Sequence, residues 1–168
     1  MRNIKLFFIK SDYIDYLRRF DDKVPYNKNE KRPFVGIVLQ IEDIKYYAPL
    51  TSPKKKHLHM KNTIDFRKID NGRLGAINFN NMIPVLDDAL INFSFKEIKD
   101  KKYRNLLNKQ YEKLLEIDEK HFQNLAGLRK ICFRDEGNLN NEQKKIRNRC
   151  CNLPLLESIY KEYKRRMP

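Results

Sequence analysis

Hydrophobic positions follow two different periods along this chain, one in each half. In the first half, short apolar runs bounded by polar residues predict strands at 3–9, 33–41 and 44–50. The run at 33–41 is rich in β-branched residues, and its tight connection through Glu42-Asp43 predicts a hairpin with the next strand. Because helical periodicity dominates only the second half, the pattern predicts an α+β fold rather than an α/β fold.

Shorter extended segments are expected between this hairpin and the helical half. Residues 63–68 and 73–78 flank the Asn71-Gly72 pair, which is a strong signal for a turn between two strands. Residues 80–86 form another extended piece, and the proline within it favours a sheet edge because proline cannot donate to a strand ladder. The first half therefore predicts a small sheet with several short strands.

Helices are predicted where apolar residues recur every three or four positions. Ser11 is expected to be the N-cap of the first helix, and the polar residues 21–32 after it are expected to form a mobile loop. The leucines of the second helix, Leu115 among them, are assigned to the core. The predicted helices cover residues 12–20, 103–115, 121–133 and the segment after Pro154, with a polar loop at 135–143.

Charge adds a prediction about the partner. The 168-residue chain carries 36 Lys and Arg against 22 Asp and Glu, a formal net charge of +14. Such an excess favours a polyanionic partner, and inside a cell that is most often nucleic acid. No apolar run of the sequence approaches the roughly 20 residues that a membrane-spanning helix needs. The length predicts one domain covering residues 1–168.

Cysteine usage and the N-terminus both favour a cytoplasmic protein. The three cysteines show no CxxC or metal-finger spacing, so reduced thiols are expected. The apolar run at 6–9 is too short for a signal peptide, and no small-residue cleavage site follows it. His57 and His59 have no carboxylate or cysteine cluster nearby in the sequence, so neither a metal site nor a cofactor is predicted.

The strongest candidate for chemistry is the stretch from Tyr46 to Lys56. Its predicted strand runs into two adjacent hydroxyls, Thr51 and Ser52, and three consecutive lysines begin at Lys54. A strand end holds its last side chains still, and hydroxyl donors beside dense positive charge suit a phosphate-bearing ligand. The alternative is a polar hairpin end with a solvated lysine run.

Six short segments point to a known family. They are Tyr13-Ile-Asp-Tyr-Leu17, Phe20-Asp-Asp-Lys-Val-Pro25, Arg32-Pro-Phe-Val-Gly-Ile-Val-Leu39, Tyr47-Ala-Pro-Leu-Thr-Ser-Pro-Lys54, Gly75-Ala-Ile-Asn78 and Asn81-Met-Ile-Pro84. In this order they resemble the ToxN/AbiQ family, the endoribonuclease toxins of type III toxin–antitoxin and phage-abortive systems, together with its CptN/TenpN-like relatives. The resemblance is dense over the first half of the chain and looser through the helical half.

This resemblance implies a small, partly open antiparallel β-barrel of the Kid/MazF/CcdB (SH3-like) kind with several surrounding helices. It implies a metal-independent ribonuclease that cuts adenine-rich RNA and leaves a 2′,3′-cyclic phosphate and a 5′-hydroxyl. It also implies inhibition by a small RNA antitoxin made of tandem pseudoknot-like repeats that the toxin itself excises. Toxin and RNA are expected to close into a ring-like assembly, commonly three of each, with no membrane partner.

By the same resemblance, the candidate catalytic residues are Ser52, Thr51, Lys54, Arg32 and Tyr13. RNA carries its own nucleophile, the ribose 2′-hydroxyl, so the protein has to orient it, move protons and stabilise the phosphorane charge. Ser52 is expected to bond the scissile phosphate or the 2′-hydroxyl with support from Thr51. Lys54 and Arg32 are expected to stabilise the developing charge.

Three of these residues have alternative or restricted roles. Tyr13 is expected to orient the RNA or share in proton transfer, and its alternative is packing of its helix against the sheet. Thr51 has a backbone hydrogen bond at the strand end as its alternative. Arginine rather than lysine at position 32 weighs against proton transfer by Arg32.

A wider RNA-binding surface is predicted around this site and in the helical half. Tyr26 belongs to it because a tyrosine in a basic loop can stack on an unpaired base, although a loop anchor is its alternative role. A solvated helix face is the alternative for the basic residues beyond position 143. The predicted contacts are Tyr26, Lys28, Lys31, Lys55, Lys56, His57, His59, Lys144, Lys145 and Arg147.

Two other functions stay open at this stage. A non-catalytic RNA-binding module would explain the charge and the tyrosines, although the sequence has no RNP-type aromatic motif and no GxxG clamp. A CcdB-like toxin acting on a protein target is the other, since a fold alone does not decide function. Binding without cleavage would favour the module, and toxicity with intact cellular RNA would favour the protein-targeting toxin.

Overall fold

An antiparallel sheet is the main element of regular structure in the first half of the chain. The structure is a computed structural model that describes residues 3–166. The strands are β1 (Lys5–Ile9), β2 (Phe34–Ile41), β3 (Ile44–Thr51), β4 (Arg67–Lys68), β5 (Ala76–Ile77), β6 (Ile83–Pro84) and β7 (Leu90–Asn92). Their order is β4-β5-β3-β2-β1-β7, with β6 pairing β3 beside this path.

One α-helix lies between β1 and β2 along the chain, and the other α-helices follow β7. They are α1 (Ser11–Arg18), α2 (Lys101–Leu115), α3 (Glu119–Gln123), α4 (Leu125–Phe133), α5 (Asn141–Arg149), α6 (Leu153–Ile159) and α7 (Tyr163–Arg166). Of these, α3 and α4 contact β2, and α6 contacts β6. The predicted α+β class is confirmed, and the strands that were expected to form a partly open antiparallel β-barrel form an open antiparallel sheet.

The β2–β3 hairpin is the centre of the sheet, as the apolar runs predict. Its strands pair from Ile41 and Ile44 at the turn back to Phe34 and Pro49, with an irregular register between Val35 and Leu39. Most of its side chains are buried, because helices pack against the hairpin and other strands flank it on both sides. The chain can reverse at Glu42 because that residue adopts a left-handed conformation, with φ of 52°.

The short strands differ in extent from the prediction. Within 63–68 and 73–78 only β4 and β5 are extended, and they pair across a turn in which Asn71 and Gly72 both have positive φ. The edge position of β6 is as predicted. The strand β7 was not predicted, because three residues carry too little pattern and its extended form depends on pairing with β1.

The helices depart from the prediction at three places. The periodic segment 121–133 is broken at Asn124 into α3 and α4. The predicted loop at 135–143 already contains the start of α5, whose N-cap is Asn140 in a capping box with Gln143. On α2 the prediction of a core position for Leu115 is wrong, because its side chain is 53% exposed beyond the last turn that faces the sheet.

Ser11 is not the cap of α1. The N-cap is Lys10, and its side chain makes no capping hydrogen bond. The Ser11 hydroxyl instead accepts a hydrogen bond of 3.1 Å from the side-chain amide of Asn27. That amide also donates to the carbonyl oxygen of Ile9 at 2.8 Å. The serine therefore joins the start of α1 to the loop that follows it.

The loop at 21–32 is anchored along its length, which contradicts its prediction as a mobile segment. Val24 and Asn27 are buried in it. The guanidinium group of Arg18 donates to the carbonyl oxygens of Asp22 and Val24 and lies 3.5 Å from the ring centroid of Tyr26. The loop's composition of Asp, Lys, Pro and Asn does not reveal these contacts, because the contacts involve backbone groups of the loop and residues of α1.

Aromatic side chains join the C-terminal helices to α1. The Tyr13 ring is fully buried and meets the Tyr163 ring edge-on at 5.0 Å between centroids. Its hydroxyl donates to the carbonyl oxygen of Pro84 at 2.6 Å, and burial raises the pKa of Tyr13 well above its usual value. The Tyr16 hydroxyl donates to the carbonyl oxygen of Ile159 at 2.8 Å. These contacts fix α1 between β6 and the end of the chain.

Two bidentate ion pairs fix the helical half, one to the first half of the chain and one between α4 and α6. The Arg149 guanidinium group bonds both carboxylate oxygens of buried Asp65, at 2.9 and 3.0 Å. Arg129 bonds both oxygens of Glu157 at 2.7 Å and also donates to the Tyr46 hydroxyl at 3.0 Å. Within residues 3–166, no helix is long and apolar enough to cross a membrane.

We predict that Gly36→Ala lowers the free energy of unfolding by about 1–3 kcal/mol, the usual cost of overpacking a core. A Cβ atom at position 36 would lie 2.1 Å from two ring carbons of Tyr47, which is buried and cannot move aside. Urea denaturation followed by circular dichroism measures the change. Gly137→Ala is the matched control, because a Cβ there meets nothing within 4 Å. Equal stability of the two variants would contradict the prediction.

Candidate active site at the end of strand β3

Strand β3 ends where its pairing partner changes, and the two predicted hydroxyls lie at this point. The strand pairs with β2 as far as Pro49 and with β5 through Leu50 and Thr51. Ser52 follows immediately and is exposed, whereas Thr51 is half-buried. The Thr51 hydroxyl donates to the Ser52 carbonyl oxygen at 3.3 Å, so the backbone role considered for Thr51 is present in the structure.

A small cavity brings these hydroxyls together with residues that are distant in sequence. Thr51 and Ser52 line it, joined by Lys28 and Arg32 from the loop before β2. The remaining walls are Pro33, Leu50, Tyr103, Leu107 and Gln110. We call it the site cavity. Hydroxyl, amide and cationic groups around one concave surface are suited to bind a phosphate and to stabilise negative charge that develops on it.

Arg32 supplies a half-buried positive charge to the site cavity. Desolvation lowers the pKa of its guanidinium group, with a smaller opposing effect from Tyr103, but an arginine in a protein stays protonated at neutral pH. Burial raises the pKa of Tyr103, which therefore keeps its proton. The Tyr103 hydroxyl donates to the carbonyl oxygen of Lys31 at 3.2 Å and so fixes α2 against the loop.

An unusual turn lies between Lys28 and Arg32, the two loop residues that line the site cavity. Lys28, Asn29 and Glu30 have φ of 52°, 54° and 64°, a left-handed run that residues other than glycine rarely adopt. Backbone hydrogen bonds from Lys31 and Arg32 to the Asn27 carbonyl oxygen close the turn, at 3.1 and 2.9 Å. Backbone strain of this kind is common at functional sites, where the surrounding structure maintains it.

Gln110 is a site residue that sequence reasoning missed. Its side chain is buried at 1% exposure, and its amide nitrogen donates to the carbonyl oxygens of Thr51 at 3.2 Å and Leu74 at 2.7 Å. The available signal was a glutamine within the apolar stripe of α2, because a buried polar side chain needs a hydrogen-bond partner. The Gln110 side chain therefore fixes the position of the end of β3.

Gly75 permits the closest backbone approach at the site. It has φ of 92°, and a Cβ atom there would lie 2.0 Å from the Thr51 carbonyl oxygen. No other residue fits without displacing the peptide between Thr51 and Ser52. The Gly75-Ala-Ile-Asn78 segment therefore belongs to the site through its backbone.

The lysine run forms an exposed rim beside Ser52. Lys54, Lys55 and Lys56 are all exposed around a short 3₁₀ turn. His57 is buried at 2% exposure, and its Nδ1 accepts from the Lys54 backbone N–H at 3.2 Å, so its prediction as an RNA contact is wrong. Burial and the charges of Lys56 and Lys54 lower the pKa of His57. His59 is exposed.

Tyr13 does not belong to the site cavity. Its ring has no exposed surface, and its hydroxyl is bonded to the Pro84 carbonyl oxygen. A buried, hydrogen-bonded phenol with a raised pKa cannot reach bound RNA, so the packing alternative describes Tyr13 and its proposed catalytic role is withdrawn.

The second basic region is partly committed to structure. The Arg147 guanidinium group donates to the carbonyl oxygen of Arg134 at 2.9 Å and lies 3.6 Å from the Glu136 carboxylate. Lys144 is half-buried and Lys145 is exposed. Lys145 is therefore the member of this group that presents its charge most openly.

Comparison with known proteins places this geometry in context. The sequence model of the family described as toxin ToxN of type III toxin–antitoxin systems matches residues 5–161. The endoribonuclease ToxN of Bacillus thuringiensis subsp. kurstaki is 35% identical over 171 aligned residues, which cover 98% of this chain and 86% of that protein.

Two solved structures are similar over nearly the whole fold. One, from work on selective toxin inhibition by a non-coding RNA pseudoknot, has a TM-score of 0.83 and 35% identity, covering 98% of this chain and all of that chain. The other, the lactococcal anti-phage endoribonuclease AbiQ, has a TM-score of 0.77 and 28% identity with the same coverage of both chains. By sequence and by fold, this chain belongs to the ToxN family of type III toxin–antitoxin toxins.

Proposed function

We propose that this protein is an endoribonuclease that cleaves RNA at the site cavity and leaves a 2′,3′-cyclic phosphate and a 5′-hydroxyl. The observation that supports it best is the convergence of Ser52, Thr51 and Arg32 on one small concave surface beside exposed Lys54. These residues come from separate segments and are brought together only by the fold. Relatives in the same family are named endoribonucleases.

The chemical step uses the nucleophile that RNA provides. The ribose 2′-hydroxyl gives up its proton to solvent water as its oxygen attacks the adjacent phosphorus, the bond to the 5′-oxygen breaks, and the leaving oxygen takes up a proton from water. Ser52 donates a hydrogen bond to a non-bridging phosphate oxygen, while Arg32 and Lys54 stabilise the charge that accumulates there. Tyr103 holds its proton at neutral pH because burial raises its pKa, and it donates this proton in a hydrogen bond to the Lys31 carbonyl oxygen, so its role is to position the loop that carries Arg32.

The proposed partners are RNA molecules. Exposed Lys54–Lys56, Tyr26 and Lys145 form a basic and aromatic surface around and beyond the site cavity, suited to phosphates and unpaired bases. From the family resemblance, the proposed substrate is adenine-rich RNA in the cytoplasm. The proposed inhibitor is a small pseudoknot RNA in a closed assembly of three toxins and three RNAs.

We predict that Ser52→Ala lowers the rate of RNA cleavage by about 10²–10³-fold, the usual effect of removing one donor that stabilises transition-state charge. The assay uses an adenine-rich RNA in EDTA with end-group analysis of the products. Ser158→Ala is the control, because its hydroxyl is exposed and bonds only within α6. Cleavage by Ser52→Ala at the wild-type rate would contradict the mechanism. Tight binding without cleavage by the wild type would favour the RNA-binding module.

We predict that Gln110→Met lowers kcat by about tenfold to a hundredfold while KM changes little, because a small displacement of reacting groups slows chemistry strongly. The variant loses the two hydrogen bonds that the Gln110 amide nitrogen donates to the Thr51 and Leu74 carbonyl oxygens. Single-turnover and steady-state kinetics well below the melting temperature separate this effect from loss of fold. Gln40→Met is the control, because its exposed amide bonds only the Glu42 carbonyl oxygen. A change in KM alone would assign Gln110 to binding instead.

We predict that Tyr26→Ala weakens RNA binding by about 1–3 kcal/mol, the usual contribution of one stacked base, whereas Tyr26→Phe retains affinity. The ring is 64% exposed and held in place by the Arg18 guanidinium group on one face. Fluorescence anisotropy with Ser52→Ala as the non-cleaving background measures the change. Unchanged affinity of Tyr26→Ala would leave the tyrosine as a loop anchor.

A further inference from the structure

A second cavity adjoins the site cavity and has no role in the mechanism described above. Its volume is about 620 Å³, and Tyr103 lines both cavities. The left-handed turn separates them, with Lys28 and Arg32 facing the site cavity and Glu30 and Lys31 facing the second one. The two cavities are therefore neighbours that share a wall.

The site cavity is too small to receive any part of an RNA chain except a phosphate oxygen. Its volume is about 10 Å³, close to the roughly 10–15 Å³ that a single water molecule needs. A phosphate can rest on its mouth against Ser52, but the attached base has to lie elsewhere. The second cavity falls within the range of about 300–1,000 Å³ that is usual for ligand pockets.

The walls of the second cavity suit a flat aromatic ring. Its apolar surface comes from Phe8 on β1, Ile91 on β7 and Ile98 before α2, with the Tyr103 ring at the side nearest the catalytic residues. Proteins that recognise single-stranded RNA hold splayed bases on apolar and aromatic side chains of this kind. The floor is built on two paired strands and is rigid.

The charged groups of the second cavity distinguish a base from a phosphate. Glu30, Glu97 and Asp100 carry carboxylates among its lining residues, and these would repel a phosphate, although Asp100 already accepts from the Tyr103 backbone N–H. A carboxylate accepts hydrogen bonds only, so it favours a ring edge with an amino group, as in adenine, cytosine or guanine, over the carbonyl edge of uracil. Lys31 and Lys99 also line the cavity and supply charge for the RNA backbone that connects the two cavities.

We propose that the second cavity binds the amino-bearing nucleobase of a nucleotide adjacent to the scissile phosphate. This inference rests on the proposed ribonuclease function and deepens it. The base enters between Ile91 and Ile98, while its own backbone passes over the turn at Lys28–Glu30 toward Ser52. The cavity thereby selects the RNA sequence at the cut and fixes the distance between base and phosphate.

The test is a double-mutant cycle between protein and RNA. The protein variant is Ile98→Phe, in which a larger side chain at a half-buried position fills the cavity. The RNA variants carry an abasic nucleotide at each position flanking the cut, one at a time, and kcat/KM is measured for every combination. Leu115→Phe is the matched control, because that exposed position lies outside the cavity. Ile91→Phe is the second filling variant if Ile98→Phe does not fold.

The proposal predicts strong coupling at one flanking position. In the wild type, the abasic nucleotide there lowers kcat/KM by about tenfold to a hundredfold, as expected for loss of one bound base. In Ile98→Phe the intact RNA shows a loss of similar size, and the abasic substitution adds less than about twofold, because the base has already lost its site. Uracil at this position behaves like the abasic nucleotide.

Each alternative outcome has a distinct meaning. If the wild type cleaves RNA but the abasic penalties are equal in wild type and Ile98→Phe, the base cavity is refuted and the ribonuclease function stands. If the wild type cleaves no RNA, the proposed function fails, and the cavity inference fails with it. If only Leu115→Phe couples to the abasic position, the base binds elsewhere on the protein.

Discussion

The carbonyl oxygen of Thr51 is the point on which the geometry of the site depends. The end of a strand ordinarily exposes its last polar groups to water, and their positions fluctuate with it. Here the carbonyl oxygen accepts a hydrogen bond from the buried amide of Gln110 and lies against Gly75, which has no side chain to displace it. The same amide holds Leu74. One side chain of α2 thus fixes two adjacent backbone segments. Ser52 is exposed at the strand end that this side chain holds in place.

The distribution of positive charge follows from what each cation is paired with. Arg149 and Arg129 each form bidentate bonds with carboxylates that are buried or nearly so, and breaking such a pair would leave an uncompensated carboxylate in the interior. Near the site, by contrast, Lys54–Lys56 are exposed on a rim and Arg32 faces a cavity. A net charge of +14 indicates a polyanion, but only the fold shows where that charge is available to one.

The sequence predicts well those features that depend on local pattern. The hairpin, α1, α2 and the position of Thr51 and Ser52 at a strand end follow from runs and periods within short windows. Features that depend on long-range contacts were missed. Strand β7 is extended because it pairs with β1, and the loop at 21–32 is ordered because Asn27 bonds Ile9.

The candidate site was predicted in part for the same reason. Motif order identified Thr51, Ser52 and Arg32, and the fold places them around one cavity. The resemblance misassigned Tyr13 and the basic context misassigned His57, because neither a tyrosine nor a histidine reveals in sequence whether its polar atom meets solvent or a backbone group. Gln110 was missed because its position among the apolar residues of α2 does not reveal which backbone groups its buried amide bonds.

Charge stabilisation and positioning, rather than proton abstraction, are the contributions that this site is built to make. Burial lowers the pKa of Arg32, but the ordinary pKa of an arginine is so high that the group stays protonated. Tyr103 stays protonated because burial raises its pKa. Arg32 can donate hydrogen bonds to a phosphorane, whereas the Tyr103 hydroxyl donates to the Lys31 carbonyl oxygen, and neither can accept a proton at neutral pH. On the proposed mechanism the 2′-hydroxyl must therefore be brought in line with the leaving oxygen by binding energy drawn from the rest of the nucleotide. A base held beside Tyr103 would supply that energy where the reacting phosphate has the least room to move.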